Sequence, residues 1–444
     1  MTHADAYNRL VLLDEAAARE QAAWLREAFS RRGVTFGDAP MRSFLRPHFV
    51  GRAQWNRLRD DGRRLLQLLT RVARAAFEGD AARLCAWLGV PEAQARWVAL
   101  DPGEPDVVLS RLDAFLTPDG PRFIEVNSDA PAGFGYGDRM AEVFAELPLF
   151  REFARDAPVA YLASGRSVVE AVASAWGSRR RGTGPPVVAI VDYADVRTRA
   201  DQQILCAAFE DAGVPCLLAD PREVELGGGR LVARGRPIDV VYRRAVLSEL
   251  VEREDEVRDF LEAYRGGAAV FVNSLRCHLA EDKAFFALLQ DPDSAGLMSA
   301  DEASFVERAV PWTAKVEERR SRKGGHAIDL VPWILENREA LVLKPSHGYG
   351  GRSVFVGDET SPDAWEAAVR QGVGRAWIVQ ERVPIPEEPF PVVEDGRLTL
   401  ESLKVNANPF YVAGHEVGAV TRASRSSVIN VSAGGGSVPT FVVG

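Results

Sequence analysis

Residues 105–133 read PDVVLSRLDAFLTPDGPRFIEVNSDAPAG, and this stretch predicts a β-hairpin. Apolar and polar residues alternate on both sides of residues 117–120 (TPDG), which form a turn sequence. Residues two apart in a strand point to the same face of a sheet. Pairing of the two strands across the turn would therefore bring together four polar side chains: Arg111, Asp113, Glu125 and Asn127.

These four side chains have the chemistry of a magnesium site. Carboxylate and amide oxygens are hard ligands, and Mg²⁺ takes few of them from a protein while it keeps positions for phosphate oxygens. An adjacent arginine suits an anionic oxygen. The alternative is an ordinary solvated hairpin face, because a Glu-x-Asn pattern alone has little specificity.

A second stretch, residues 341–354 (LVLKPSHGYGGRSV), predicts a strand that carries Lys344 into a glycine-rich loop. Backbone N–H groups in such a loop can surround phosphate oxygens, because glycine allows the required dihedral angles. The sequence has no GxxxxGK[ST] motif, so a lysine before the loop indicates a different nucleotide fold. A flexible hairpin is the alternative.

Lysine usage supports the choice of Lys344. Of the 54 basic residues, five are lysines and the other 49 are arginines, and all five lysines lie between positions 283 and 404. A lysine retained in such a chain indicates a need for a compact ammonium group that arginine cannot supply. Lys283 lies in the first turn of a predicted helix, where a cation is unfavourable unless an anion is nearby.

Two segments nearer the C-terminus extend the candidate site. Residues 376–383 (AWIVQERV) predict a buried strand whose backbone could meet an adenine edge beside Gln380 and Glu381. Arg422 could neutralise a transferring phosphoryl group, and Asn430 could bind metal or phosphate. A plain C-terminal hairpin is the alternative for the last two.

Composition excludes several classes of protein. The chain of 444 residues has a net charge of −9, which argues against a nucleic-acid surface. Its four cysteines show no CxxC pair and no metal-ligand spacing, which predicts a reduced, cytoplasmic protein. No apolar run approaches the roughly 20 residues that cross a bilayer, and the N-terminus is too acidic for a signal peptide.

Patterning divides the chain into four predicted regions. Residues 1–104 are expected to be helical, and residues 105–160 contain the hairpin with the candidate metal ligands. Residues 161–275 predict α/β units in a Rossmann-like order, although the GxGxxG fingerprint is absent. Residues 276–444 mix strands and helices around the lysines.

Six segments, in order, resemble the motifs of circularly permuted ATP-grasp proteins, a group that includes the glutathionylspermidine synthase-like ligases. They are RLDAFLTPDGPRFIEVNSDAPAG, DVVYRR, EDKAFFALL, LVLKPSHGYGGRSV, WIVQERV and TRASRSSVINVSAGGGSVPTFV. The resemblance covers about residues 105–444. It implies an α/β protein in which ATP lies between two α+β lobes. A Rossmann-like domain is expected before the nucleotide-binding lobes. The permutation places the metal ligands before the nucleotide-binding residues in the sequence.

The resemblance also implies roles for matched residues. The implied metal ligands are Asp113, Glu125 and Asn127. The implied ATP-binding residues are Lys283, Lys344, Gly348, Gly350, Gly351, Arg352, Gln380 and Glu381. Arg111 corresponds to the residue that holds the reacting carboxylate or its acyl phosphate, and Arg422 to a second catalytic cation. Further implied substrate-binding residues are Arg243, Arg244 and Asn430.

The implied activity is an ATP- and Mg²⁺-dependent ligase that forms an amide bond through an acyl phosphate and releases ADP and phosphate. Its implied partners are a small-molecule carboxylate and an amine, such as an amino acid, a peptide or a polyamine. Neither nucleic acid nor membrane is expected, and a homodimer stays open. Two alternatives remain: a small-molecule kinase on the same fold, and a nucleotide-binding accessory protein without turnover.

Overall fold

The computed structural model describes six stretches of the chain, and all helices and strands given below belong to them. The stretches are residues 2–101, 103, 106–177, 184–348, 353–431 and 434–444. Three residues assigned by resemblance, Gly350, Gly351 and Arg352, lie outside these stretches. Within them, every helix is too short or too polar to span a membrane.

Helices dominate the first hundred residues. They are α1 (His3–Leu13), α2 (Glu15–Arg31), α3 (Arg52–Ala76), α4 (Ala81–Leu88) and α5 (Glu92–Val98), with short strands β1 (Thr35–Phe36), β2 (Ala39–Pro40) and β3 (His48–Gly51) between them. Helix α3 packs on the large sheet, where the Tyr411 hydroxyl donates to the carbonyl of Leu58 at 3.0 Å. Gly62 permits this approach, because a Cβ there would collide with the Tyr411 hydroxyl group.

The hairpin predicted around residues 117–120 is confirmed. Strands β4 (Leu109–Thr117) and β5 (Gly120–Asn127) pair antiparallel, with Asp113 opposite Glu125 and a bulge directly after Asp113. The hairpin is followed by α6 (Phe134–Glu146), α7 (Pro148–Asp156), β6 (Val159–Ala160) and α8 (Gly165–Ala175).

Residues 188–272 build a four-stranded parallel sheet with a small antiparallel sheet beside it. The elements are β7 (Val188–Val191), α9 (Arg199–Asp211), β8 (Cys216–Ala219), β9 (Val224–Gly227), β10 (Arg230–Ala233), β11 (Arg236–Ile238), β12 (Val240–Arg243), α10 (Leu247–Glu252), α11 (Arg258–Arg265) and β13 (Val270–Val272). The parallel order is β13–β12–β7–β8. A turn at residues 227–229 joins β9 to β10, with Gly228 and Gly229 at positive φ.

A second antiparallel sheet carries Lys344. The elements here are α12 (His278–Glu281), α13 (Ala284–Gln290), α14 (Ala300–Ala309), β14 (Thr313–Lys315), β15 (Arg320–Lys323), β16 (His326–Asp329), α15 (Leu330–Glu336), β17 (Leu341–Pro345), β18 (Phe355–Val356), α16 (Pro362–Gly372) and β19 (Trp377–Glu381). Short 3₁₀ helices span Leu275–Cys277, Pro292–Leu297 and Arg338–Ala340. The sheet order is β14–β19–β17–β18, while β15 and β16 form a separate hairpin.

Strands from both ends of the chain form one eight-stranded sheet. The C-terminal strands are β20 (Glu387–Glu394), β21 (Arg397–Val412), β22 (His415–Ser424) and β23 (Gly436–Val443). The order is β3–β23–β22–β21–β4–β5, with β20 also paired to β21 and β6 to β23. Leu112 joins the core under α3, whereas Phe410 stacks on Phe134 of α6, so helices cover both faces of the sheet.

Candidate active site

A polar pocket lies where the β4–β5 hairpin meets the loop after β17. Its lining residues are Glu125, Val126, Asn127, Glu281, Asp282, Lys283, Ser346, His347 and Gly348. The hairpin, the start of α13 and the glycine-rich loop therefore converge, as the sequence motifs require if they serve one site.

Lys283 joins the hairpin to the glycine-rich loop. Its Nζ lies 3.0 Å from Oε1 of Glu125 and donates to the carbonyl of Gly348 at 2.8 Å. Burial disfavours its charged form, but the carboxylates of Glu125 and Glu281 outweigh this and hold the pKa of Lys283 above its ordinary value. The ammonium group is thus stable at the N-terminal end of α13 because carboxylates surround it.

Lys344 is a buried ammonium beside the same carboxylate. Its Nζ donates to Oε1 of Gln380 at 3.0 Å and lies 3.4 Å from the carbonyl oxygen of Ile124. Burial is the main cause that lowers the pKa of Lys344 to about 8; repulsion from Lys283 adds to it, while Glu125 opposes it. An anion bound here would restore the charged form, because opposite charges favour ionisation.

Asp113 is shared by two guanidinium groups. Arg111 donates to its Oδ1 at 3.0 Å and Arg422 donates to its Oδ2 at 3.1 Å. Burial opposes ionisation of Asp113, but the two arginines overcome it and keep its pKa below the usual value. Burial and repulsion from Arg111 lower the pKa of Arg422 to about 10. The negative charge of Asp113 therefore does not fully offset the cost of burying the Arg422 cation.

The hairpin carboxylates therefore face an excess of positive charge. Asp113 and Glu125 are surrounded by four cations: Arg111, Lys283, Lys344 and Arg422. Glu281 and Asp282 on the opposite wall also raise the pKa of Lys283, so they offset part of this excess. A polyanion is the ligand that such an arrangement favours.

The oxygen donors at the pocket fit Mg²⁺ in part. Glu125 and Asn127 line the pocket, and their carboxylate and amide oxygens suit this ion. Asn127 uses its Nδ2 to donate to Oδ1 of Asp113 at 3.1 Å. Oδ1 of Asp113 accepts from Arg111 and Asn127, whereas Oδ2 accepts from Arg422 and keeps a lone pair that suits a metal.

Strand β19 places Gln380 and Glu381 beside the lysines. The Gln380 side chain accepts from Lys344 and donates to Thr313 Oγ1 at 3.0 Å, so it orients the lysine. The strand is paired on both edges, and the Glu381 N–H donates to the carbonyl of Trp312 at 2.6 Å. This N–H group is therefore occupied, in contrast to the expectation that the strand offers free backbone donors to an adenine edge.

The structure does not bring Arg243 and Arg244 to the pocket. Arg243 is buried against Asp129, and Arg244 donates to Asp201 Oδ2 at 3.1 Å. Asp201 also accepts from the backbone N–H of Gly133 at 3.0 Å. Both guanidinium groups are neutralised within the protein where the parallel sheet meets the segment after β5, and their carboxylate-binding role stays a prediction.

Asn430 lies between β22 and β23 and is not among the lining residues of the pocket. Its carbonyl oxygen accepts from the N–H of Gly435 at 3.0 Å. This backbone contact shapes the loop, and it gives no support to a direct metal or phosphate contact by Asn430.

Asn273 positions the hairpin, a role that the sequence analysis did not predict. Its Oδ1 accepts from the N–H groups of Val108 and Leu109 at 2.8 Å each, and its Nδ2 donates to the carbonyl of Ser128 at 2.7 Å. One amide thus holds the start of β4 and the end of β5. An asparagine directly after a buried strand was the only sequence signal, and it does not indicate a partner so distant in the chain.

Comparisons with known proteins find relatives that match this chain over only part of their own length. No family model matches the chain. An uncharacterized protein of Mycobacterium tuberculosis is 30% identical over 225 residues, which are 47% of this chain and 37% of that protein. A protein of Frankia casuarinae provisionally named as a glutamate–cysteine ligase is 25% identical across 97% of this chain and 50% of its own length. The chain thus spans half or less of the length of these relatives.

One solved structure resembles the whole chain. A glutathione synthetase-like effector from Globodera pallida, in its apo form, superposes with a TM-score of 0.60 and 12% sequence identity, covering 97% of this chain and 98% of that one. At this identity the likeness concerns the fold alone. The chain therefore shares the mixed α/β fold of this effector.

Proposed function

We propose that the protein is an ATP- and Mg²⁺-dependent ligase of the ATP-grasp type. It activates a carboxylate as an acyl phosphate, joins it to an amine and releases ADP and phosphate. The observation that carries this proposal is the set of four cations around Asp113 and Glu125: Arg111, Lys283, Lys344 and Arg422. Such a set matches the phosphates of a nucleotide and the anions that arise from their transfer.

The lysines have the first role in the proposal, which is to bind ATP phosphates. Lys283 is held by Glu125 and by the carbonyl of Gly348, so it is already directed into the pocket. Lys344 approaches from the neighbouring sheet, where Gln380 restrains its amine. Glu125 and Asn127 would hold Mg²⁺, which would supply further charge neutralisation at the phosphate oxygens.

The arginines have the second role, which is to hold the reacting carboxylate. Arg111 and Arg422 bind opposite oxygens of Asp113, so one buried acid orients both guanidinium groups. Their planar donors suit a carboxylate or an acyl phosphate. Fixed in this way, they bring the carboxylate and the terminal phosphate together, a type of positioning that can supply effective molarities of about 10⁵–10⁸ M.

The glycine-rich loop has the third role. Gly348 has a φ of 118° and lines the pocket. The resemblance assigns Gly350, Gly351 and Arg352 to a flap over the phosphates, and these three residues lie outside the described stretches. Closure of this flap over the phosphates would exclude water, which otherwise hydrolyses an activated acyl group.

The comparisons support ligation in general terms. The Frankia relative is provisionally named as a glutamate–cysteine ligase, and the fold is that of a glutathione synthetase-like protein. Glutamate and cysteine are therefore the first acid and amine to test. The proposal also has a more specific part. It places the protein in the glutathionylspermidine synthase-like subfamily, with a circularly permuted fold, a Rossmann-like domain and region limits at residues 104, 160 and 275.

The decisive experiment traps the acyl phosphate. The full chain is incubated with ATP, MgCl₂, hydroxylamine and a panel of amino acids and peptides that begins with L-glutamate, and hydroxamate and ADP are measured together. A ligase yields hydroxamate and ADP in equal amounts with its own acid. A kinase yields ADP and a stable phosphorylated compound, which mass measurement identifies. Absence of ADP release across the panel, despite ATP binding, would favour an accessory protein.

A further inference from the structure

A second group of metal-ligating side chains lies beside the pocket. Asp129, His278 and Glu281 place one ligand atom each within 4.8 Å of the others. Asp129 follows strand β5, whereas His278 and Glu281 are the first and last residues of α12. Glu281 also lines the pocket, yet the activity proposed above uses none of the three.

The distances in this group are those of shared metal ligands. Nδ1 of His278 lies 3.4 Å from Oδ2 of Asp129 and 3.6 Å from Oε1 of Glu281. Both distances exceed the usual range of an N–H···O hydrogen bond, about 2.7–3.2 Å. Ligands bound tetrahedrally to zinc at about 2.0–2.2 Å lie about 3.3–3.6 Å apart. Two of the three separations therefore match those in a zinc site, and ligand atoms of all three residues lie within 4.8 Å of one another.

The histidine itself lacks a hydrogen-bond partner. His278 is 6% exposed, and neither of its ring nitrogens makes a hydrogen bond to any part of the chain that the structure describes. Buried polar atoms are nearly always paired. Its Nδ1 is directed between two acidic oxygens, which is the setting in which a metal ion would complete the arrangement.

The remaining oxygens of the two acids are already held in place. Oδ1 of Asp129 contacts the Arg243 guanidinium group, and Oε2 of Glu281 accepts from the backbone N–H of Asp129 at 2.8 Å. Outer partners of this kind commonly orient carboxylates that bind metals. Oδ2 of Asp129 accepts from the backbone N–H of Leu247 at 2.9 Å, and its second lone pair and Oε1 of Glu281 are the groups that face His278.

We propose that Asp129, His278 and Glu281 bind a zinc ion, with a water molecule as the fourth ligand. A nitrogen ligand favours zinc over magnesium, which prefers oxygen ligands in an octahedral arrangement. The ion joins the end of strand β5 to α12, two residues before Lys283. It therefore stiffens one wall of the pocket, and its binding does not depend on the reaction proposed above.

The test is metal binding by the full-length chain. The protein is stripped with a chelator and titrated with Zn²⁺ by calorimetry, and with Co²⁺ to record the visible absorption of a tetrahedral site. We expect one ion per chain. Loss of a residue that only orients a metal ligand weakens metal binding by ~10–100-fold. Glu281→Gln and His278→Gln remove ligands themselves, so they should weaken Zn²⁺ binding by more than this and should remove the Co²⁺ absorption.

Two matched variants control for other sites. His347→Gln alters the histidine that stacks on His278 at 5.5 Å but supplies no ligand, and Glu125→Gln alters the expected magnesium site; both should retain the ion. Failure of the unaltered chain to bind Zn²⁺ overturns the proposal, as does equal binding by Glu281→Gln or loss of the ion in Glu125→Gln. If His278→Gln does not fold, Glu281→Gln decides, since its side chain is partly exposed.

Discussion

The ammonium nitrogen of Lys283 lies 3.0 Å from a carboxylate oxygen of Glu125. This ion pair links the start of α13 to strand β5, and the same nitrogen reaches the carbonyl of Gly348 in the glycine-rich loop. Three segments that carry separate sequence motifs thus meet at one side chain. The pair also explains why a lysine is tolerated at a helix N-terminus, since a neighbouring carboxylate offsets the unfavourable helix dipole.

Glu125→Gln should lower the rate of ATP-dependent ligation by at least about 100-fold, the cost of removing one well-placed electrostatic group. The amide keeps the shape of the side chain but loses the charge that pairs with Lys283 and that would bind Mg²⁺. Steady-state ADP release measures the effect, and circular dichroism checks the fold. Glu366→Gln on the exposed side of α16 is the matched control. Rates like those of the unaltered protein would refute the assignment of Glu125.

ATP affinity should fall as the pH rises through about 8. Burial lowers the pKa of Lys344 to about 8 in the free protein, so above this pH the unbound amine is neutral and must take up a proton before it can neutralise a phosphate. The Kd should then rise by up to about tenfold per pH unit. Calorimetry between pH 7 and 9.5 measures this slope.

The control for this pH dependence is Lys344→Arg, because a guanidinium group stays protonated throughout the range. If this variant binds ATP, its Kd should be nearly independent of pH. A flat profile for the unaltered protein would show that Lys344 does not meet the nucleotide, or that its charge is not lost in this range.

Asp201→Ala should destabilise the protein by about 3–5 kcal/mol, the cost of leaving a buried charge without its partner. Asp201 is fully buried, pairs with Arg244 at 3.1 Å and accepts from the N–H of Gly133. Urea unfolding measures the change. Asp255→Ala is the control, since Asp255 is 99% exposed in its pair with Arg258 and should cost less than about 1 kcal/mol. Equal effects would contradict the structural role of the Asp201–Arg244 pair.

Gly62→Ala should destabilise the protein by about 1–3 kcal/mol through overpacking. The added methyl group would occupy the place of the Tyr411 hydroxyl group. Thermal unfolding measures the effect, and Tyr411→Phe in the same chain should recover part of the loss by removing the clashing oxygen. Gly296→Ala is the control, because a Cβ there meets no atom within 4 Å. Unchanged thermal stability of the Gly62→Ala variant would mean that α3 does not pack on β21 as described.

Local patterns in the sequence predicted much of the site. Alternation around residues 117–120 predicted the pairing that sets Asp113 opposite Glu125, and the glycine-rich motif predicted the strand that carries Lys344. Such features depend on neighbours in the chain, since strand periodicity and turn residues act over a few positions. The same patterns could not show that Arg243 and Arg244 are neutralised by Asp129 and Asp201.

The sequence by itself determined the hairpin, the glycine-rich loop and the residue types that suit a nucleotide and a metal. Only the tertiary structure decided that β4 pairs with β21, that Asp113 is shared by Arg111 and Arg422, and that His278 faces Asp129 and Glu281. The physical reason is the distance along the chain over which each interaction acts. Backbone geometry is set by adjacent residues, whereas the state of a buried charge is set by whichever distant segment folds against it.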